Sequence, residues 1–147
     1  MEISADLAIC HEEVPLARSG GPYRNFPLFA APPHVARAIA ATGYDVCTTA
    51  SNHAVDQGFP GLKRTLDELD RAKIQHVGTA RSKTEAQRPT IFTTRQGVKI
   101  AIAAATFGVN GLPMPQGKLC AVQRMSAKNL LAQAHRARAA GADIVIA

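Results

Sequence analysis

The sequence predicts an α/β protein, a sheet with helices packed on its faces. Three observations carry that expectation. Short apolar runs alternate with amphipathic stretches along the chain, the order that places helices on a sheet. Leu62, Leu66 and Leu69 recur at i, i+4 and i+7, the spacing of one helical face. Val98 to Thr106 is apolar almost throughout, as a strand covered on both faces requires.

Asp6-Leu7-Ala8-Ile9-Cys10 reads as a first buried strand, followed by a loop rich in Gly and Pro from Pro15 to Pro33. Pro33 opens a helix in which Val35, Ala38 and Ile39 share a face, and Gly43 closes it. Tyr44 to Ala50 returns to strand. Phe59 to Lys73 is the clearest helix, and Ile74 to Val77 is a short strand ended by Gly78. Thr90–Thr94 and Val98–Thr106 form two strands around a Gln96-Gly97 turn. Phe107 to Val122 has Gly and Pro without periodicity and is expected to be loop. Ser126 caps a helix through Ala140 with Leu130, Leu131 and Ala134 as its core stripe, and Gly141 ends it. Asp143 to Ala147 is a last buried strand.

Composition narrows the class. A chain of 147 residues fits a single domain, 1–147, large enough to bury a core. With 46% hydrophobic and 19% charged residues it reads as an ordinary globular protein. No run approaches the roughly 18 apolar residues of a membrane span. The start, Met1-Glu2-Ile3-Ser4-Ala5-Asp6, lacks the basic and apolar regions of a signal peptide, so the compartment stays unassigned. The net charge of +6 raises nucleic acid as a partner, but the basic residues are dispersed and Trp is absent, so no nucleic-acid partner is expected. Cys10, Cys47 and Cys120 are odd in number and far apart, which argues against a disulfide framework or a CxxC zinc site. Cys10 and Cys47 are expected to act as small buried hydrophobes.

Functional groups in open α/β proteins gather at the carboxyl ends of strands. Read this way, His11, Glu12 and Glu13 follow the first strand, Asn52, His53 and Asp56 follow the second, and Asn110 follows the long apolar one. Carboxylate, imidazole and amide donors together suit Mn, Fe or Zn, and such an ion would polarise a phosphoryl oxygen and acidify a bound water. A neighbouring His off the metal would protonate a leaving group. Simpler readings stand beside these. His11 and Glu13 also fit strand-end surface groups, Asp56 a helix cap, and Asn110 before Gly111 a turn residue. His34, His76 and His135 lie in or beside regular elements and read as structural.

These residues resemble a known family. The CapA-type, or poly-γ-glutamate capsule synthesis, proteins have a fold similar to calcineurin-like metallophosphoesterases. An Asp-initiated strand running into Asn-Leu-Glu-x-Pro is similar to Asp6 through Leu16 here, with His11 where Asn is common and Glu13 at the family's Glu. The Asn-Asn-His-x-x-Asp-x-Gly hallmark matches Ser51 through Gly58, and later segments resemble Gly61 to Lys73, Gly78-Thr79-Ala80 and Glu85-Ala86. The resemblance implies a metallophosphoesterase-like layered sheet with Glu13 and Asn52 as metal ligands. His53 is then the acid-like His beside the metals and Asp56 supports the loop. His11 either ligates or hydrogen-bonds.

The family's earlier Gly-Asp motif and its later His-Trp-Gly and Gly-x-His-x-His-like segments are missing from this chain. The resemblance therefore implies a fragment, truncated at both ends, with about half of a divalent-metal site and no hydrolysis of its own. The function it implies is in capsule or poly-γ-glutamate biosynthesis, with an anionic polymer or phosphoester-like substrate and membrane-associated capsule machinery as partners. Relatives of this kind are often at the cell envelope or secreted. Two alternatives accompany it: a non-enzymatic binding or scaffold module for an acidic envelope polymer, and a truncated product without function.

Overall fold

The computed structural model describes residues 5–147. The expected α/β architecture is present as two three-stranded sheets with helices against them. In the first sheet β1 (Ile9–His11), β2 (Val46–Thr48) and β3 (Gln75–Val77) lie in that order, all parallel. Helix α1 (Val35–Thr42) connects β1 to β2, and α2 (Gly58–Arg71) connects β2 to β3. The second sheet holds β4 (Thr90–Thr93), β5 (Lys99–Ile102) and β6 (Ile144–Ile146). β4 and β5 form the antiparallel hairpin expected around Gln96-Gly97, and β6 joins β5 in parallel after α4 (Ala127–Ala139).

The leucine stripe of α2 does what its spacing predicts. Leu62, Leu66 and Leu69 are buried, and burying each contributes about 1.5–3 kcal/mol. They face two ways. Leu69 packs with Leu16, Ala36, Cys47 and Ile74 under α1, whereas Leu62 and Leu66 pack with Val55, Val109, Ala121 and Val122. The second group draws the β2–α2 loop and the segment after β5 onto one helix. Gly78 completes the approach of neighbouring strand ends: at φ +108° a Cβ there would lie 2.7 Å from the backbone nitrogen of Ala50.

Several expectations are corrected. Cys10 and Cys47 are not separate hydrophobes but a disulfide, because the parallel register sets them opposite each other with Cα atoms 4.5 Å apart. Leu131 is exposed, and the buried residue of α4 is Ala137, packed on Ala101 and Ala142. β6 is an edge strand with Ile144 and Ile146 partly open rather than a fully buried one. A 3₁₀ turn at Leu119–Ala121 falls in the stretch expected to be loop, and α3 (Lys83–Gln87), capped by the Ser82 hydroxyl on the Glu85 amide, lies between β3 and β4, where the sequence reading assigns no element.

The disulfide gives a direct measurement. Denatured without reductant, the oxidised chain should present one reactive thiol, Cys120, and three after reduction. Closing a loop across a sequence separation of 37 should contribute about 3–4 kcal/mol in the chain-entropy account. Three reactive thiols before reduction, in protein prepared under oxidising conditions, would refute the pairing.

Candidate functional site

The polar edge is built from the ends of β1 and β2. At β1 the three successive side chains have different fates. His11 is exposed and its Nδ1 lies 2.8 Å from the Thr48 hydroxyl on the neighbouring strand. Glu12 turns inward and is buried beside Val14, Thr49, Thr65 and Thr79. Glu13 points outward, while its backbone carbonyl accepts the Ser51 hydroxyl, which also receives the His53 amide at 2.9 Å. Ser51 thus stitches the end of β1 to the loop after β2.

Within that loop a series of turns (Ala54 N–H to Ser51 O, Asp56 N–H to His53 O, Gly58 N–H to Val55 O) brings His53 and Asp56 together. His53 Nδ1 lies 2.8 Å from Asp56 Oδ2, and the Asp56 side chain has no exposed surface. The same oxygen accepts the Phe29 amide at 2.8 Å, so Asp56 is not a helix cap. Gln57 occupies the cap position of α2 and makes no side-chain capping bond there. Asp56 Oδ1 is buried with no hydrogen-bond partner.

With Nδ1 facing a carboxylate, that nitrogen holds the ring proton in the neutral form and Nε2 is left to the edge. The Phe29 ring stands edge-on to His53, with centroids 4.8 Å apart.

Asn110, whose simpler reading is a turn residue, reaches this site from the loop after β5. It takes a left-handed backbone, φ 51°, and its Oδ1 accepts the Asn52 amide at 3.2 Å. Its Nδ2 is 3.4 Å from both ring nitrogens of His53, too long and too symmetric to be aimed at either lone pair. Two participants escaped the sequence reading. Phe29 had no local signal, and Ser51 could have been suspected from the Ser-x-His spacing that lets a hydroxyl accept an amide two residues on.

The structure therefore joins Asn52, His53 and Asp56 with Asn110 and Phe29, and leaves His11 and Glu13 on the adjacent strand end without a shared side-chain contact. Among the described residues no three His, Cys, Asp or Glu side chains converge as a cation site would need. Both Asp56 oxygens are buried, one of them already shared by two donors. Of the residues nominated as ligands, His11 lies against Thr48 and Asn52 bonds Asn110.

A family model described as "Bacterial capsule synthesis protein PGA_cap" matches residues 3–147. This chain belongs to the PGA_cap family. It is 28% identical over 92 residues to the protein y4sH of Sinorhizobium fredii, covering 63% of this chain and 19% of that protein. It is 30% identical over 76 residues to the "Probable polyglutamine synthesis accessory protein Rv0574c" of Mycobacterium tuberculosis, 52% of this chain and 20% of that one. Over 63 residues it is 33% identical to the "PGA biosynthesis protein CapA" of Bacillus subtilis, 43% and 17% of the two chains. The matched stretches thus span about a fifth of the length of these curated relatives or less.

Two measurements test the local chemistry of this PGA_cap site. Asp56→Asn keeps the side chain's size but replaces a charged acceptor by a neutral one, and should cost about 1–3 kcal/mol. It should also redistribute the His53 ring proton. Nitrogen NMR of the unmodified chain should show the Nδ1–H form, and a dominant Nε2–H form would contradict the His53–Asp56 geometry.

Glu12 gives a pH signature. Burial pushes its carboxyl up to about 7, against a smaller opposing effect of the Val14 amide. Below its ordinary value of 4.5 the group is neutral folded or unfolded, and no penalty exists. As pH rises toward 7 the unfolded chain ionises while the folded one keeps its proton, so stability falls, by an amount on the order of 3 kcal/mol once complete. Glu12→Gln should therefore be more stable than the parent at pH 8 and nearly equal to it near pH 4 by urea unfolding. An equal difference at both pH values would contradict the burial.

Proposed function

We propose that this chain serves the biosynthesis of an anionic capsule polymer at the cell envelope, with His53 as the group that handles a proton at its polar edge. The observation that supports the reading most is the His53–Asp56 pair at 2.8 Å in a PGA_cap chain. Asp56 fixes the orientation of the imidazole, and Nε2 gives or takes a proton on a substrate oxygen. Asn52 and Asn110 supply amide donors and acceptors beside it. The relatives named for PGA biosynthesis and polyglutamine synthesis support a polyglutamate-like substrate.

The finer reading is a metallophosphoesterase-like site in which Glu13, Asn52 and His11 contribute to binding Mn, Fe or Zn. Such a centre needs donors in addition to these three. A second reading, a module that binds an acidic polymer and cleaves nothing, is favoured by the lack of a converging donor cluster among the described residues.

The test is replacement of His53 in the native gene. His53→Ala should lower capsule polymer at least tenfold while the protein level is kept. Undiminished polymer would remove His53 from the chemistry and leave the binding reading. Calorimetric titration of the 147-residue chain with Mn²⁺ should show at most weak binding, and a tight Asn52-dependent site would mean that these donors suffice by themselves.

A further inference from the structure

From Val14 to Tyr44 the sequence contains no Asp or Glu, yet it contains Arg18, Arg24 and Arg37. Part of this stretch folds into a tied hairpin beside His53. Leu16 bridges Ala31 in parallel at its base, and Arg24 and Ala30, paired antiparallel, exchange both backbone hydrogen bonds at 3.1 and 3.0 Å. Helix α2 holds the hairpin from below: Thr65 accepts the Leu16 amide at 2.8 Å, and the Gln57 amide donates to the Phe29 carbonyl at 3.0 Å.

The outer surface of this hairpin is unusual in two respects. Phe26 is 81% exposed and Tyr23 50%, although apolar rings gain by burial. Phe26 stands edge-on to Phe29, which stands edge-on to His53, so the exposed ring belongs to the wall of the site. The charges are also unmatched. Arg18 and Arg24 are exposed, and neither they nor Arg64 on α2 has a carboxylate within ion-pair distance among the described residues. Arg64 Nε is buried without an acceptor. Burial, and after it the nearness of the Arg18 cation, hold the Arg64 guanidinium below its ordinary value. An anion between the Arg18 and Arg64 guanidinium groups would relieve the repulsion.

We infer that the hairpin from Ala17 to Ala31, with Arg64 beneath it, is the platform that recognises a polycarboxylate chain and leads it to His53. The inference rests on the capsule-polymer reading above. Carboxylates lie at Arg18, Arg64 and Arg24, where guanidinium and carboxylate pair through charge-assisted hydrogen bonds. The short aliphatic stems between them lie on Phe26. A second acid-free stretch, from Ala86 to Ala142, is also basic, but its charges are scattered over α4 and the loops. Two of its arginines, Arg124 and Arg138, already donate to backbone carbonyls.

The experiment is fluorescence anisotropy of a labelled synthetic oligo-γ-glutamate with the 147-residue chain at low and high salt. Arg18→Glu with Arg24→Glu, both at exposed positions, should weaken binding at least tenfold, and Phe26→Ala severalfold. Lys83→Glu with Lys128→Glu should stay within twofold. Equal losses for the two charge-reversed pairs, or no binding by the parent chain, would overturn the inference. Tighter binding of single-stranded DNA or polyphosphate of equal charge would overturn the polycarboxylate assignment.

Failure here is separable from failure of the proposed function. If the hairpin variants keep affinity while His53→Ala still loses capsule polymer, only the platform falls. If they lose affinity while His53→Ala is harmless, the platform stands and the proton-handling role falls.

Discussion

Two donors meeting one buried carboxylate oxygen set the geometry of this molecule's polar edge. Asp56 Oδ2 holds the His53 ring and the Phe29 amide at the same 2.8 Å. An ionised carboxylate removed from water is costly unless it is hydrogen-bonded, and its other oxygen has no partner. The two bonds are therefore strongly constrained: neither donor can leave without stranding more of the charge. Because one donor belongs to the β2–α2 loop and the other to the β1–α1 hairpin, two segments distant in sequence are obliged to move together. The orientation of His53 is a property of the hairpin as much as of its own loop.

The surrounding structure supplies the rigidity this requires. Ala54 and Val55, the two residues before Asp56, are anchored in the cluster of Leu62 and Leu66. The same cluster contains Val109, which places Asn110 beside Asn52 even though β5 belongs to the other sheet. Below the edge, the Cys10–Cys47 bond ties β1 to β2 one residue before His11 and Thr48. Hydrophobic packing, a covalent tie and the buried carboxylate thus act on the same few loop residues.

What the sequence could reveal follows from the range of each interaction. Periodicity is local, so the leucine face of α2 and the β4–β5 hairpin were readable, as was the grouping of polar residues at strand ends. The disulfide was not, because it depends on the register of two strands separated by 37 residues, and nothing near Cys10 or Cys47 announces that register. Asn110 was seen at the right strand end but could not be told from a turn residue, since its left-handed backbone suits both roles. Leu131 misled because the α4 residue packed on the sheet is the small Ala137, set against Ala101 and Ala142. The short helix α3 did carry a sign, Ser82 three residues before Glu85, but five residues are too few for periodicity to expose it.

The distribution of charge explains why net charge alone is a poor guide to what this surface binds. Exposed charges act over about 8–10 Å at physiological salt, so a ligand senses neighbouring groups rather than the total. Around the end of α2, Arg81 pairs with Asp67, Asp70 and Glu85, and that region has little positive charge to offer an anion. At the hairpin the balance is reversed, with guanidinium groups present and no acid in the intervening sequence. Holding such groups together is unfavourable in the free protein and becomes favourable only when an anion lies between them. A fold that keeps this arrangement on a backbone-tied hairpin, next to an exposed aromatic ring and a carboxylate-oriented histidine, has placed its recognition and its chemistry on one mechanical unit.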